Sequence, residues 1–189
     1  MYAQILKNAF DRYFDVPINI WIEFANRCDV VNFDKEEVMK QDGASEKYFY
    51  FILSGSAGVF LWRKNNFVCL DLALQNNFFC DYMSLLTGRS SPIQTMTIEK
   101  SAMLRMTGSN YYKLSQEPAA QKILRIAAEA SFIDKQQQQI DLLTKTAQER
   151  YHTLLEKNRE IFQRIPQKYI ASYLGITPQS LSRLRKSTS

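Results

Sequence analysis

The side chains best suited to recognition chemistry crowd into one short stretch near the C-terminal end, PQKYIASYLGITPQSLSRLRK, residues 166–186. Gln179, Ser180, Ser182, Arg183 and Lys186 occupy the polar side of a segment whose other side carries Leu181 and Leu184. Arginine pairs with a guanine edge, glutamine with an adenine edge, and serine with either. Gln179 and Arg183 are the expected base readers, with Ser180 and Ser182 as neighbours. Thr177, Arg185, Lys186 and Lys168 are placed to contact phosphates, which fix position without carrying sequence information.

Such readers need a rigid mount, and the same stretch contains one. Pro166 suits a helix start, since it has no backbone donor to waste. Ile170, Ala171 and Leu174 form an apolar face, with small Ala171 where a second helix must cross closely. Gly175 supplies the left-handed backbone that ends the first helix. Ile176 plugs the core. Thr177 is a good N-cap and Pro178 a good first residue for the second helix. Two short helices joined by a glycine turn, the second polar and basic, form a helix-turn-helix that lays its second helix in the DNA major groove. The competing reading is a helical hairpin that only packs. Charge favours the first. Residues 145–189 hold nine Lys or Arg against three Glu, a net +6; the whole chain is +5, so the first 144 residues carry −1. A basic tail on a near-neutral body implies a polyanionic partner.

The remaining sequence divides into elements that could carry this tail. Residues 145–165 read as a helix, opened by a Thr146–Glu149 capping box, continued through Arg150, Leu154, Leu155 and Phe162, and stopped at Ile165-Pro166. Residues 109–143 read as a long helix or helix pair. Within them Ile123, Ile126, Ala130, Ile133, Gln137 and Ile140 recur at spacings of three and four, a narrow a/d series. It implies a dimer seam with Gln137 helping to set register; a helix packed on its own domain is the alternative. Residues 28–107 alternate β-branched and aromatic runs (Tyr48 to Leu53, Gly58 to Trp62, Phe67 to Leu70) with turn residues. Arg63-Lys64-Asn65-Asn66 reads as a hairpin turn, and the whole as an antiparallel barrel or roll. Residues 1–26 look helical, with Ile5, Leu6, Ala9, Phe10, Tyr13 and Phe14 at helical spacing and Ile20, Trp21, Phe24 and Ala25 following Pro17.

Several chemistries are disfavoured. Cys28, Cys69 and Cys80 are scattered and read as reduced, buried thiols, too few for an iron–sulfur cluster. His152 is the lone histidine and reads as a solvated helix position. No glycine-rich phosphate loop, Ser-His-Asp set or metal-ligand cluster is present, so neither an enzyme nor a metal or redox cofactor is expected. Nothing resembles a membrane span or a signal peptide, and the expected location is the cytoplasm.

Taken together, a β-roll, a long helix and a C-terminal helix-turn-helix resemble the Crp/Fnr (cyclic-AMP receptor protein) superfamily over nearly the whole chain. KEEVMKQDGASEKYFYFILSGSAGVFL, residues 35–61, is similar to the family's cyclic-nucleotide-binding roll, with Gly43 after the second strand and Phe51-Ile52-Leu53-Ser54-Gly55 following. AQERYHTLLEKNREIFQRIPQKYIASYLGITPQSLSRLRK looks like the DNA-binding module of Bacteroidetes-type members. The resemblance implies an α+β chain: an N-terminal double-stranded β-helix (jelly-roll-like) sensor domain over 1–108, a dimerisation helix over 109–144 and a winged helix-turn-helix over 145–189. It further implies a homodimer on near-palindromic double-stranded DNA, its reading helices about 34 Å apart, RNA polymerase as a further partner, and no membrane. In the family's phosphate-binding cassette a Gly-Glu pair is followed by Arg-Ser. Here Cys80-Asp81 stands at the first and Pro92-Ile93 at the second, unless a displaced register uses Arg89-Ser90. A buried phosphate without a cation is costly, so tight cyclic-AMP binding is not expected. Asp81, Tyr82, Ser84, Arg89 and Ser90 remain the candidate pocket for an effector of unknown identity. An effector-binding assembly module that does not touch DNA is the alternative of another class.

Overall fold

The computed structural model describes every residue except Arg12, Phe14, Lys64, Asn65 and Ser189. Helices α1 (Tyr2–Phe10) and α2 (Ile18–Asn26) precede eight strands: β1 (Asp29–Phe33), β2 (Val38–Lys40), β3 (Tyr48–Ser54), β4 (Ser56–Arg63), β5 (Asn66–Leu74), β6 (Phe78–Phe79), β7 (Ile93–Thr97) and β8 (Ser101–Thr107). Helix α3 (Tyr82–Thr87) lies between β6 and β7. After β8 come α4 (Gly108–Ser115), α5 (Pro118–Thr144), α6 (Ala147–Lys157), α7 (Arg159–Arg164), α8 (Gln167–Tyr173) and α9 (Pro178–Thr188). The strands form two antiparallel sheets, β1-β8-β3-β6 and β2-β7-β4-β5. No helix is long and apolar enough to cross a membrane among the described residues.

The continuous aromatic run of β3 is explained by burial on both faces. Phe49 and Phe51 face outward into a core shared with Leu6, Phe10, Trp21 and Phe24 of the N-terminal helices. Tyr50 and Ile52 face inward, where they meet Ala57, Val59 and Met103 between the sheets. The second sheet repeats the arrangement. Phe60 and Cys69 point away from the roll interior into a third core, completed by Tyr151, Leu154, Tyr169, Ile170 and Leu181 of the tail. The chain is thus layered: N-terminal helices, sheet, roll interior, sheet, tail helices. On β4 the ordinary alternation sends Val59 to the roll interior and Phe60 to the tail core, while Leu70, the extra residue of a bulge between the Asp71 and Cys69 partners, lies on β5. At Gly55 (φ +91°) a Cβ would lie 2.2 Å from Ser101 Oγ and 2.6 Å from the Lys100 carbonyl oxygen, so the β3–β4 corner admits no side chain.

Two sequence expectations meet differences here, and a third falls partly outside the described residues. The predicted 63–66 turn is bracketed by the Arg63–Asn66 pair that closes the β4–β5 ladder; Lys64 and Asn65 themselves, like Phe14, lie outside the described residues. The helix read over 145–165 breaks at Asn158 (φ −158°), which separates α6 from α7. Asparagine is a weak helix interior residue, and the break turns α7 back toward the roll. The winged form expected for the tail has no strands: β8 is the last strand among the described residues, and the tail is four helices. The Thr146–Glu149 capping box is present in full.

Candidate nucleic-acid interface and sensor roll

The helix-turn-helix is α8 and α9. Ile170, Ala171 and Leu181 are fully buried and Leu174 is nearly so, which fixes the crossing of the two helices. Gly175 adopts φ +68°, and the Ile176 N–H returns to the Ala171 carbonyl at 2.9 Å. Arg150 Nε donates to the Leu174 carbonyl at 3.0 Å, capping the end of α8. Thr177 Oγ1 accepts the Ser180 N–H at 3.1 Å and so caps α9 as its sequence suggests. Thr177, Gln179, Arg183 and Lys186 stand exposed, while Ser180, Ser182 and Arg185 are half-buried. Ser180 also shares a hydroxyl contact with Thr177 at 3.0 Å. The outer face of α9 therefore presents an amide, a guanidinium and an ammonium to solvent.

The inner face of the module is committed to the roll. Tyr169 packs between Phe60 and Phe67 at ring-centroid distances of 5.1 and 5.4 Å. The Ser172 hydroxyl accepts the Cys69 N–H at 2.9 Å. Arg164 bridges to Glu99 (2.6 Å), the Gly55 carbonyl (3.0 Å) and Glu160 (2.5 Å), and also donates to Gln75. Burial pushes the Glu99 carboxyl up, but the Arg164 hydrogen bonds and charge outweigh it and leave Glu99 below the ordinary carboxylate range. Lys168, read from sequence as a phosphate contact, sits on this side: its Nζ is 3.4 Å from Glu36 and 4.6 Å from the Tyr169 ring centroid. Nothing in the sequence of the tail alone distinguishes Lys168 from Lys186; the distinction is made by the roll. The aromatic seam and the Arg164 contacts with the roll were likewise invisible, because those partners lie 65 or more residues away.

The cassette segment differs from the expected pocket. Asp81 and Ser84 are buried, and Arg89 and Ser90 are exposed. The Asp81 side chain caps α3 by accepting the Ser84 N–H at 3.1 Å and also accepts the Ser91 hydroxyl. Lys40 Nζ lies 3.2 Å from its carboxylate, with both side chains almost wholly buried. Ser84 Oγ donates to the Arg89 carbonyl at 2.5 Å. Beside them Glu46 accepts the N–H groups of Lys47, Tyr48 and Asp81 at 3.0–3.2 Å; burial pushes its carboxyl up against those bonds. Pro92 is exposed and Ile93 opens β7. Of the five pocket residues, only Tyr82 lines the main cleft, a space of about 600 Å³ between β5, β6, α5 and the tail helices. Phe78, Phe79 and Leu72 line it, with Lys135, Lys157 and Tyr173 from the helices. The two lysines are already paired, Lys135 with Asp71 at 2.8 Å and Lys157 with Asp134 at 2.7 Å.

Helix α5 begins in the roll core and, farther along, keeps one side against β5 and the tail helices and leaves the other open. Ala120, Ile123 and Leu124 are buried in the outer roll core, so Ile123, the first member of the a/d series, is occupied by its own chain. Ile126 and Ala130 are half-buried. Farther along, Phe132 (66% exposed), Ile133 (65%), Ile140 (50%) and Leu143 (79%) stand out of the fold. Gln137 is exposed and donates to Asp141 at 2.7 Å. A 3.5-residue pattern drifts about 20° per heptad on a straight helix, a small turn over this length; Ile123 is covered because the start of α5 packs on the roll core, and the later members lie beyond that cover. Phe132 and Leu143 belong to that open face and were missed because they fall outside the strict series. The three cysteines are unpaired, and burial pushes Cys28 up to about 12 and Cys69 and Cys80 higher, which keeps them thiols. His152 is half-buried on α6, edge-on to Tyr151.

No family model matches the chain, and neither does any curated protein. Solved structures match it closely in fold. The c-di-GMP-responsive global regulator CLP of Xanthomonas campestris superposes with a TM-score of 0.71 at 14% identity, over 91% of each chain. FixK2 of Bradyrhizobium japonicum gives 0.74 at 18% identity, over 85% of this chain and 83% of its own. The catabolite activator protein of Thermus thermophilus gives 0.58 at 18% identity, over 95% and 85%. These neighbours are Crp/Fnr-type regulators, and this chain has their fold: a cyclic-nucleotide-binding-like roll, a long helix and a C-terminal helix-turn-helix.

Proposed function

We propose that the protein is a DNA-binding transcription regulator that acts as a homodimer, with α9 as the reading helix. The observation that carries this is the division of α9 into a buried seat at Leu181 and an outward face of Gln179, Arg183 and Lys186. A helix that only packed would have no need of such a face at the end of a basic tail. Gln179 and Arg183 read bases, with Ser180 and Ser182 beside them, and Thr177, Arg185 and Lys186 hold phosphates. Lys168 contributes less, being held toward Glu36. The partner for α5 is a second copy meeting the Phe132–Ile133–Ile140–Leu143 face, since four exposed apolar side chains on one helix stripe are what a two-helix seam requires. Two copies place two reading helices on a near-palindromic site. RNA polymerase is the further partner that such a regulator addresses from DNA. In this reading the chain has no catalytic role and acts on DNA in the cytoplasm.

The roll is proposed to bind cyclic AMP weakly or not at all, because Pro92-Ile93 stands where the cassette's Arg-Ser pair is expected and Arg89, the nearby arginine, is exposed. A second reading, a ligand-switched regulator, is favoured by the cleft that reaches from the roll to the tail helices. An assembly module that ignores DNA is the reading to exclude. Titration of the whole chain with a selected duplex at several salt concentrations decides: affinity that falls steeply with salt supports phosphate contacts, and absent binding refutes the proposal. Calorimetric titration with cyclic AMP addresses the roll, where micromolar binding would refute the ligand half.

A further inference from the structure

Lys40 is the one lysine or arginine that is buried among the described residues. An ammonium has three donors, and all of them go to the chain's own acceptors. They reach the Ile93 carbonyl at 2.6 Å, Ser91 Oγ at 3.1 Å and Asp81 Oδ2 at 3.2 Å, with the Gln41 carbonyl at 3.3 Å as a shared acceptor. The Asp81 carboxylate is held in the same way from its side, by the Ser84 N–H, the Ser91 hydroxyl and Lys40. A cation, a hydroxyl and a backbone N–H converging on one buried point are the parts of a small-anion seat. Here that point is already taken by a covalently attached carboxylate. The seat ties β2 to the start of α3 and to the segment before β7, the two ends of the cassette stretch.

We propose that the roll is closed by its own anion: Asp81 fills the seat, Lys40 supplies the counter-charge, and the pair shapes the cassette while selecting against an anionic effector. The inference deepens the ligand half of the proposed function and rests on it, but it is independent of DNA binding. A free phosphate or carboxylate would have to displace Asp81 from Lys40 and leave a buried charge unpaired, which is strongly unfavourable. An effector of the cleft must then be recognised without this cation.

The test vacates the seat. Asp81→Ala leaves Lys40, Ser91 and the Ser84 N–H around a carboxylate-sized space. Thermal melts of the whole chain are run in sodium formate and in sodium chloride at equal ionic strength. The expected result is a saturable rise in Tm with formate for Asp81→Ala, as binding to the folded state demands, and none for the wild type. A variant indifferent to formate, or a wild type equally stabilised by it, overturns the proposal. A second set guards against a variant that does not fold: Lys40→Met, Asp81→Asn and the double variant. The double variant is expected to melt higher than Lys40→Met alone, because it removes the stranded carboxylate. A double variant that melts lower overturns the pairing. Cyclic-AMP titration of the wild type fails separately from either result, so loss of the weak-binding reading and loss of the closed seat are distinguishable.

Discussion

Two short helices with polar N-terminal caps, α3 and α9, have opposite fates in this fold. Both begin with a side chain that accepts the N–H three residues on, Asp81 for α3 and Thr177 for α9. At α9 the polar and charged groups beyond the cap face solvent, and the helix is anchored from behind by Leu181. At α3 the charge is turned inward onto Lys40 and covered. The first arrangement keeps unsatisfied hydrogen-bonding capacity available to an external partner, and the second uses that capacity up. The difference leaves the polar face of α9, and not the polar centre of the roll, open to a partner in solution.

The sharpest way to break this contrast is at the two buried anchors. Lys40→Met strands the Asp81 carboxylate and is expected to cost about 3–5 kcal/mol of folding stability, measured by chemical denaturation. Leu181→Ala removes the seat of α9 and is expected to cost about 2–5 kcal/mol, with loss of DNA affinity at temperatures where the module loosens. Both losses being small would mean that neither helix is held as described.

Substitutions on the open face should behave differently. Arg183→Ala is expected to weaken binding to a selected duplex by about 1–3 kcal/mol and to relax preference at one base, leaving the melt unchanged. Ile133→Asp should give monomers in sedimentation and weak operator binding; a variant that stays dimeric would place the seam elsewhere. Smaller effects come from the roll–tail contact. Arg164→Ala is expected to lower stability on the order of 1 kcal/mol, since its partners are partly solvated. Because Glu99 and Glu160 are held below the ordinary carboxylate range by Arg164, their contribution is present above the unfolded-state pKa of about 4 and is lost as pH falls through the lower folded value. Acid titration of stability should therefore show a shallower limb in the Arg164→Ala variant. Lys168→Ala should change DNA affinity least, because its charge is already shared with Glu36.

Local chemistry made much of this legible in advance. The helix-turn-helix is written in neighbouring residues: Gly175 for a positive φ, Thr177 and Pro178 for a helix start, and Ile170, Leu174 and Leu181 for a shared core. The Thr146–Glu149 box and the Phe51-Ile52-Leu53 strand are equally local. What was not legible depends on distant partners. Lys40 in Val38-Met39-Lys40 reads as a polar residue on a short strand, and only the return of the chain at Asp81, Ser91 and Ile93 makes it a buried counter-ion. Lys168 reads as one more basic residue until Glu36 is brought beside it. The a/d series on α5 was found by spacing, but which of its members are open was set by where the roll ends, so Ile123 went to the core and Phe132 and Leu143 to the surface.

The central claim is that the exposed face of α9 reads duplex DNA. It is tested most directly by measuring duplex affinity against salt for the whole chain and for a variant with Gln179, Arg183 and Lys186 all replaced by alanine. The account predicts a strongly negative dependence of log affinity on log salt for the wild type, with a shallower slope and lost sequence preference in the variant. Equal slopes and equal preference in the two proteins would contradict it.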